Sequence, residues 1–82
     1  MTYQVIWSET ASRELGKLDR SVAKRILDRV DDLRQVPQRR LRRLVGAPYY
    51  RLRVGDYRVI VELVEDKLLV LVLKVGHRKA VY

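Results

Sequence analysis

The chain is predicted to be an α+β domain in which a two-helix hairpin packs on one face of a four-stranded sheet, in the order strand, helix, helix, strand, strand, strand. Three observations carry that expectation. Two apolar stripes at helical spacing come early, Ala11, Leu15 and Leu18, then Val22, Ile26, Val30 and Leu33. Residues 51–58, Arg-Leu-Arg-Val-Gly-Asp-Tyr-Arg, read as two strand ends joined by a Gly-Asp turn, a strong β-hairpin signal. Leu68 to Leu73 is apolar at every position, which marks a central strand buried on both faces.

The elements follow in order. Tyr3 to Trp7, aromatic and β-branched, forms a first strand. Ser8 suits a helix N-cap, Glu9 favours the first turn electrostatically, and Gly16 weakens the helix they start. Asp19 or Ser21 starts a second helix, with Lys24, Arg25, Asp28 and Asp32 turned to water, and Pro37 stops it. From Pro37 to Pro48 the chain is basic and irregular, with Leu41, Leu44 and Val45 expected to tether it to the core. Strands at Tyr49 to Val54, Tyr57 to Val64 and Lys67 to Val75 then form a meander, with Gly55-Asp56 and Glu65-Asp66 as turns. Two-residue turns put Leu52, Val54, Tyr57, Val59, Val61, Leu63, Leu68, Val70 and Val72 on the face under the helices, and Arg51, Arg53, Arg58 and Glu62 on the other. They also set Tyr57 opposite Lys74. The last strand needs a second neighbour, and Tyr3 to Trp7 is the spare one. Tyr50, Tyr57 and Trp7 are expected in the core rather than as base-stacking platforms.

Eighty-two residues make a single domain, 1–82, burying about 60 to 65% of its unfolded surface around one modest core. The apolar share of 48% and the charged share of 34% are those of a folded protein rather than a disordered one. No segment reaches membrane-spanning length and residues 1–8 lack signal-peptide character, so a cytoplasmic location and no membrane partner are expected. With no cysteine and one histidine, a thiolate or zinc centre has no ligands to draw on, and no cofactor is expected.

Charge is unevenly placed. Of the formal +8, residues 1–36 contribute seven basic against six acidic side chains, whereas residues 37–58 carry seven arginines against Asp56 alone. This is the footprint expected for a polyanion such as a nucleic acid, or for a groove that receives an acidic protein. The hairpin register sharpens it. Arg53 falls directly opposite Arg58, and facing guanidinium groups about 6 Å apart cost about 1 to 3 kcal/mol at a surface-like dielectric. An anion between them would remove that cost.

Read as a whole, the chain resembles the RelE/ParE superfamily of toxins from prokaryotic toxin–antitoxin modules, RelE-like in particular. The resemblance rests on Tyr50-Arg51-Leu52-Arg53-Val54-Gly55-Asp56-Tyr57-Arg58-Val59-Ile60 and on Leu73-Lys74-Val75-Gly76-His77-Arg78 followed by Val81-Tyr82. It implies the fold derived above, the microbial ribonuclease/RelE-like architecture. It also implies a toxin neutralised by a RelB-like antitoxin whose acidic segment wraps it. RelE-like members cleave mRNA in the ribosomal A site without a metal, leaving a cyclic 2′,3′-phosphate and a 5′-hydroxyl. The resemblance thus implies a ribosome-dependent endoribonuclease with mRNA and rRNA as partners. ParE-like members instead inhibit DNA gyrase by binding, and the same fold permits that alternative.

Residue by residue, Arg58 matches the arginine of the family's Tyr-Arg pair and Arg78 the arginine after Val-Gly-x, both phosphate clamps. Arg51 and Arg53 match a basic strand pair that holds RNA, and Tyr82 matches a tail tyrosine used for stacking or proton transfer. Studied ribonuclease members carry lysines at the Arg51 and Arg53 positions, and an arginine is a poor general base. His77, beside Arg78, is a candidate for the missing base, or an ordinary polar contact in a basic turn. Arg39, Arg40, Arg42 and Arg43 are expected to contact rRNA or the antitoxin.

Overall fold

A computed structural model describes residues 2–79. Strand β1 (Gln4–Trp7) leads into helices α1 (Glu9–Gly16) and α2 (Arg20–Asp31), and then come strands β2 (Arg42–Arg43), β3 (Tyr50–Val54), β4 (Tyr57–Val64) and β5 (Leu69–His77). The sheet runs β1-β5-β4-β3-β2. β1 pairs with β5 in parallel and the other pairs are antiparallel. The α+β class and the helical hairpin on one face stand as predicted, and β1 takes the free edge of β5. The sheet has five strands rather than four. Arg42–Arg43, inside the stretch expected to be irregular, pairs with Tyr50 and Arg51. Two polar residues show no alternation to read.

Ser8 caps α1 as expected, its Oγ accepting from the Ala11 amide at 3.0 Å. Ala11 is fully buried against the sheet, and α2 buries Ile26 and Val30 on its inner face. α2 ends at Asp31, before Pro37, and Leu33 completes the apolar stripe from a following 3-10 turn. Val36, which precedes Pro37, stands in the left-handed region at φ 45°, a strained conformation for a β-branched residue. Leu52, Val54, Val59, Val61, Val70 and Val72 meet beneath the helices, with Trp7, Tyr50 and Tyr57 packed at the margin of the core. Leu41 is a core tether, but Val45 is fully exposed. Among the described residues no helix is long and apolar enough to cross a membrane.

The β3–β4 turn is the expected Gly55-Asp56 pair, with Gly55 at φ 59° supplying the positive φ that a type II′ hairpin needs at its first central position. The β4–β5 connection departs from the two-residue turn. A 3-10 turn over Glu65–Lys67 and Leu68 at φ 54° close it, so that Val64 pairs with Leu69. A bulge then inserts Leu73 between the Val61–Val72 and Ile60–Lys74 pairs. Together these shift the pairing, and Tyr57 faces His77, not Lys74.

The bulge has a physical cause. β1 ends at Trp7 opposite Val72, which leaves the remainder of β5 without a strand on that edge. α1 takes over there. The Ser8 hydroxyl donates to the Leu73 carbonyl at 3.1 Å, and the Glu14 carboxylate accepts from the Val75 amide at 2.9 Å. Inserting one residue also reverses the alternation of faces. Val75 is thereby buried, and Lys74 is turned out to the open face instead of into the core.

Candidate nucleic-acid interface

Strand alternation builds the open face. On this face lie Arg51 and Arg53 from β3, Arg58, the buried Ile60 and Glu62 from β4, and, after the bulge, Lys74 and Gly76 from β5. Arg53 and Arg58 are direct partners, as the turn chemistry requires. With Val54 and Tyr57 as the hydrogen-bonded pair next to the turn, Arg53 and Arg58 form the next, non-hydrogen-bonded pair, the closer of the two antiparallel spacings. Lys74 lies opposite Ile60 and Gly76 opposite Arg58, so Lys74 is a diagonal neighbour of Arg58. None of the acidic side chains in the described ion pairs serves these cations. Those pairs join Glu9 to Arg13, Asp28 to Lys24 and Asp31 to Arg34, all on helical surfaces.

The chain returns to the hairpin at its end. The Arg78 amide donates to the Asp56 carbonyl at 2.8 Å, which fixes the backbone of Arg78 beside the turn that carries Arg53 and Arg58. Three sequence-distant arginines thus belong to one end of the sheet. His77 does not join them. It pairs with Tyr57 and its ring meets that tyrosine edge-on at 5.5 Å, on the side of the sheet away from Arg58. Tyr82 lies outside the described residues.

At the outer edge Arg42 pairs with Arg51, and a cleft of about 180 Å³ is lined by Arg29, Arg40, Arg42, Arg51 and Arg53. The structure therefore brings Arg40, Arg42, Arg51 and Arg53 together but sends the other two basic candidates elsewhere. Arg43 alternates to the opposite face, over the Tyr50 ring at 5.8 Å, and Arg39 lines a second depression with Gln35, Val36 and Arg40, the arginine that the two openings share. Two cations of the interface went unread in the sequence, Arg29 and Lys74. Arg29 belongs to the water-facing side of α2, and only the fold brings it to β3. Lys74 depends on the bulge.

A second feature of the open face is apolar. Leu44, Val45, Ala47, Tyr49, Ile60 and Leu73 surround a depression of about 400 Å³ with Lys74 at its rim. Among the described residues no three His, Cys, Asp or Glu side chains gather into a metal-ligating group.

The chain and its architecture have matches among known proteins. The family model of the ParE toxin of the type II toxin-antitoxin system, parDE, covers residues 5–82. The chain belongs to the RelE/ParE superfamily. It is a toxin of a toxin–antitoxin system. The mRNA interferase toxin RelE of Escherichia coli is 27% identical over 82 residues, 96% of this chain and 86% of that protein. Among solved structures, a toxin-antitoxin complex RelBE2 from Mycobacterium tuberculosis matches with a TM-score of 0.86 and 28% identity, covering 95% of this chain and 100% of the other. An archaeal RelE-RelB complex from Pyrococcus horikoshii matches at 0.82 and 30%, covering 95% and 97%. Arg51, Arg53 and Arg58, the expected RNA and phosphate contacts, all lie on the open face.

Proposed function

We propose that this toxin is a ribosome-dependent mRNA endoribonuclease that needs no metal and arrests translation by cutting the A-site codon. The observation that carries the reading is the self-repelling Arg53–Arg58 pair, with Arg51 beside it and Arg78 tied to the same turn. In the reaction the ribose 2′-oxygen bonds to phosphorus as the bond from phosphorus to the 5′-oxygen breaks. A proton leaves the 2′-hydroxyl and one is delivered to the departing 5′-oxygen, giving a cyclic 2′,3′-phosphate and a 5′-hydroxyl. Charge grows on the equatorial oxygens of the pentacoordinate phosphorus. Guanidinium groups that enter none of the described ion pairs bind that state more tightly than the substrate, which is how Arg58, Arg53 and Arg78 lower the barrier. Arginine stays protonated and cannot take the 2′-proton. Tyr82, by its match to the family's tail tyrosine, is assigned to proton transfer, and His77 has no role in this scheme.

The partner in the resting state is an acidic antitoxin segment. Placed over the open face it relieves the repulsion between Arg53 and Arg58 and stabilises the toxin by mass action. Two relatives are named RelE-RelB or RelBE complexes, which supports an antitoxin of that kind here.

Induction of the toxin in cells, with transcript 5′-ends mapped, tests the reading beside Arg58→Ala and Arg78→Ala. Cuts inside codons that both variants abolish are expected, and intact transcripts during growth arrest refute it. The ParE family match favours a second reading, inhibition of DNA gyrase by binding alone. Its sign is gyrase-dependent DNA breakage with normal translation, insensitive to Arg58→Ala.

A further inference from the structure

We propose that the cleft between α2 and the β2–β3 edge is a second phosphate site, one that holds a backbone phosphodiester of the bound RNA away from the point of cleavage. The inference rests on the RNA reading above and adds to it a residue, Arg29, that lies outside the strands and tail that carry the family motifs.

The site is built from four parts of the chain. Arg29 comes from α2, Arg40 from the turn after Pro37, Arg42 from β2, and Arg51 and Arg53 from β3. Because β2 is only two residues long, its pairing with β3 stops at Arg51, and the edge of β3 beyond it is uncovered. Arg29 reaches into that gap. Its Nη2 donates to the Arg53 carbonyl at 3.4 Å, which orients the guanidinium and leaves most of its five donors free. Among the described residues no carboxylate lines the cleft, and none of the five arginines appears in the described ion pairs. Five like charges around one small opening repel one another, so the arrangement is stable only with an anion or its counter-ion atmosphere present.

Size and position narrow the ligand. At about 180 Å³ the cleft is smaller than the roughly 300–1,000 Å³ typical of drug-sized ligand sites, and it suits a hydrated phosphate better than a base or nucleoside. Arg58 is not among its lining residues. From β4 to β2 is two interstrand spacings, about 9.5 Å, with Arg53 between them. Arg53 can therefore face the scissile phosphate on its β4 side while the cleft holds another phosphate on its β2 side. Such a contact binds ground state and transition state alike, so it governs KM and salt dependence but not kcat.

The test is cleavage of mRNA on programmed ribosomes by the wild-type protein, Arg29→Ala and the double variant Arg29→Ala/Arg40→Ala, at several salt concentrations. Arg29 is exposed on its helix, so its removal leaves the fold intact. Expected for Arg29→Ala is a KM raised about 3- to 10-fold at unchanged kcat, with the slope of log KM against log salt reduced by about 0.7, the value for one single-strand phosphate contact. The double variant should reduce that slope no further, because both residues serve one phosphate. An unchanged KM and slope with wild-type cleavage intact overturns the site while sparing the nuclease reading. A fall in kcat does so too, since it would assign Arg29 to the cleavage centre. Wild-type protein that neither binds nor cuts ribosome-bound mRNA removes both together. In a parallel arm, inorganic pyrophosphate is titrated against the arginine NMR signals of isolated protein. Competition between pyrophosphate and RNA is expected, and pyrophosphate binding that RNA leaves undisturbed identifies a site for a free anion and overturns the RNA assignment.

Discussion

The two faces of β3 and β4 are made by alternate residues of the same strands, yet they obey opposite physics. Beneath the helices Leu52, Val54, Val59 and Val61 are almost wholly buried and interlock with Val70 and Val72. On the alternate positions Arg53 is exposed and Arg51 and Arg58 are half-buried, with no carboxylate among the described ion pairs to balance them. The inner face supplies stability and the outer face draws on it. A sheet can hold a repelling pair in register only if its other side fixes that register firmly, and a period of two makes the coupling strict. The difference predicts that mutations on the two faces move stability in opposite directions.

The largest effect belongs to the inner face. Leu52→Ala removes a side chain that is 1% exposed, and such truncations cost about 2–5 kcal/mol. For a domain this size that lowers the melting temperature by roughly 10 °C or more. Calorimetry checks it, and activity per folded molecule should be nearly unchanged. Arg58→Ala inverts both outcomes. Under the proposed nuclease function, loss of one preorganised donor to the developing oxyanion should lower the cleavage rate by about 10²–10³. Stability should hold or rise, because the repulsion with Arg53, about 1 to 3 kcal/mol, disappears. Equal destabilisation by the two substitutions, measured by urea titration, would break the comparison, since it would make Arg58 a structural residue.

Legibility in the sequence follows the range of the interactions involved. The hairpin over residues 50–61 was readable because Gly55-Asp56 is local chemistry, and it fixed which arginines face each other. The helical stripes were readable for the same reason. The second half of β5 was not, because its register depends on Ser8 and Glu14, 65 and 61 residues away in the chain. That tertiary feature accounts for Lys74 on the open face, and together with the longer β4–β5 connection it sets His77 against Tyr57. Leu68 in the left-handed region carries no residue signal, since glycine or asparagine is the usual occupant. Arg29 is one charged residue among several on α2, and nothing local connects it to β3.

Glu14 offers the intermediate test, one that joins the two faces. Glu14→Ala strands the part-buried Val75 amide, a loss of about 1–3 kcal/mol. Besides lowering the melting temperature, it should loosen the register that turns Lys74 outward, so amide exchange at Val75 and Gly76 should quicken and the cleavage rate should fall although Glu14 lies on the helical side. Glu14→Gln keeps an acceptor oxygen and should restore most of both. If Gln fails where Glu succeeds while exchange at Val75 stays slow, the carboxylate acts through its charge and not through the bulge.

The smallest expected effect tests whether the connection from α2 to the basic edge is held under strain. Val36 is half exposed at φ 45°, a conformation costing a β-branched residue about 1–3 kcal/mol. Val36→Gly relieves that cost but adds freedom to the unfolded chain worth about 0.5–1 kcal/mol, so the net gain is about 1 kcal/mol, or 4–8 °C in melting temperature. The strained residue sits directly before the Pro37–Arg39 turn that delivers Arg40 to the cleft. Relaxing it should therefore raise stability while weakening RNA affinity slightly, the same opposition of sign that separates the two faces. A variant that gains both would show that the strain serves neither.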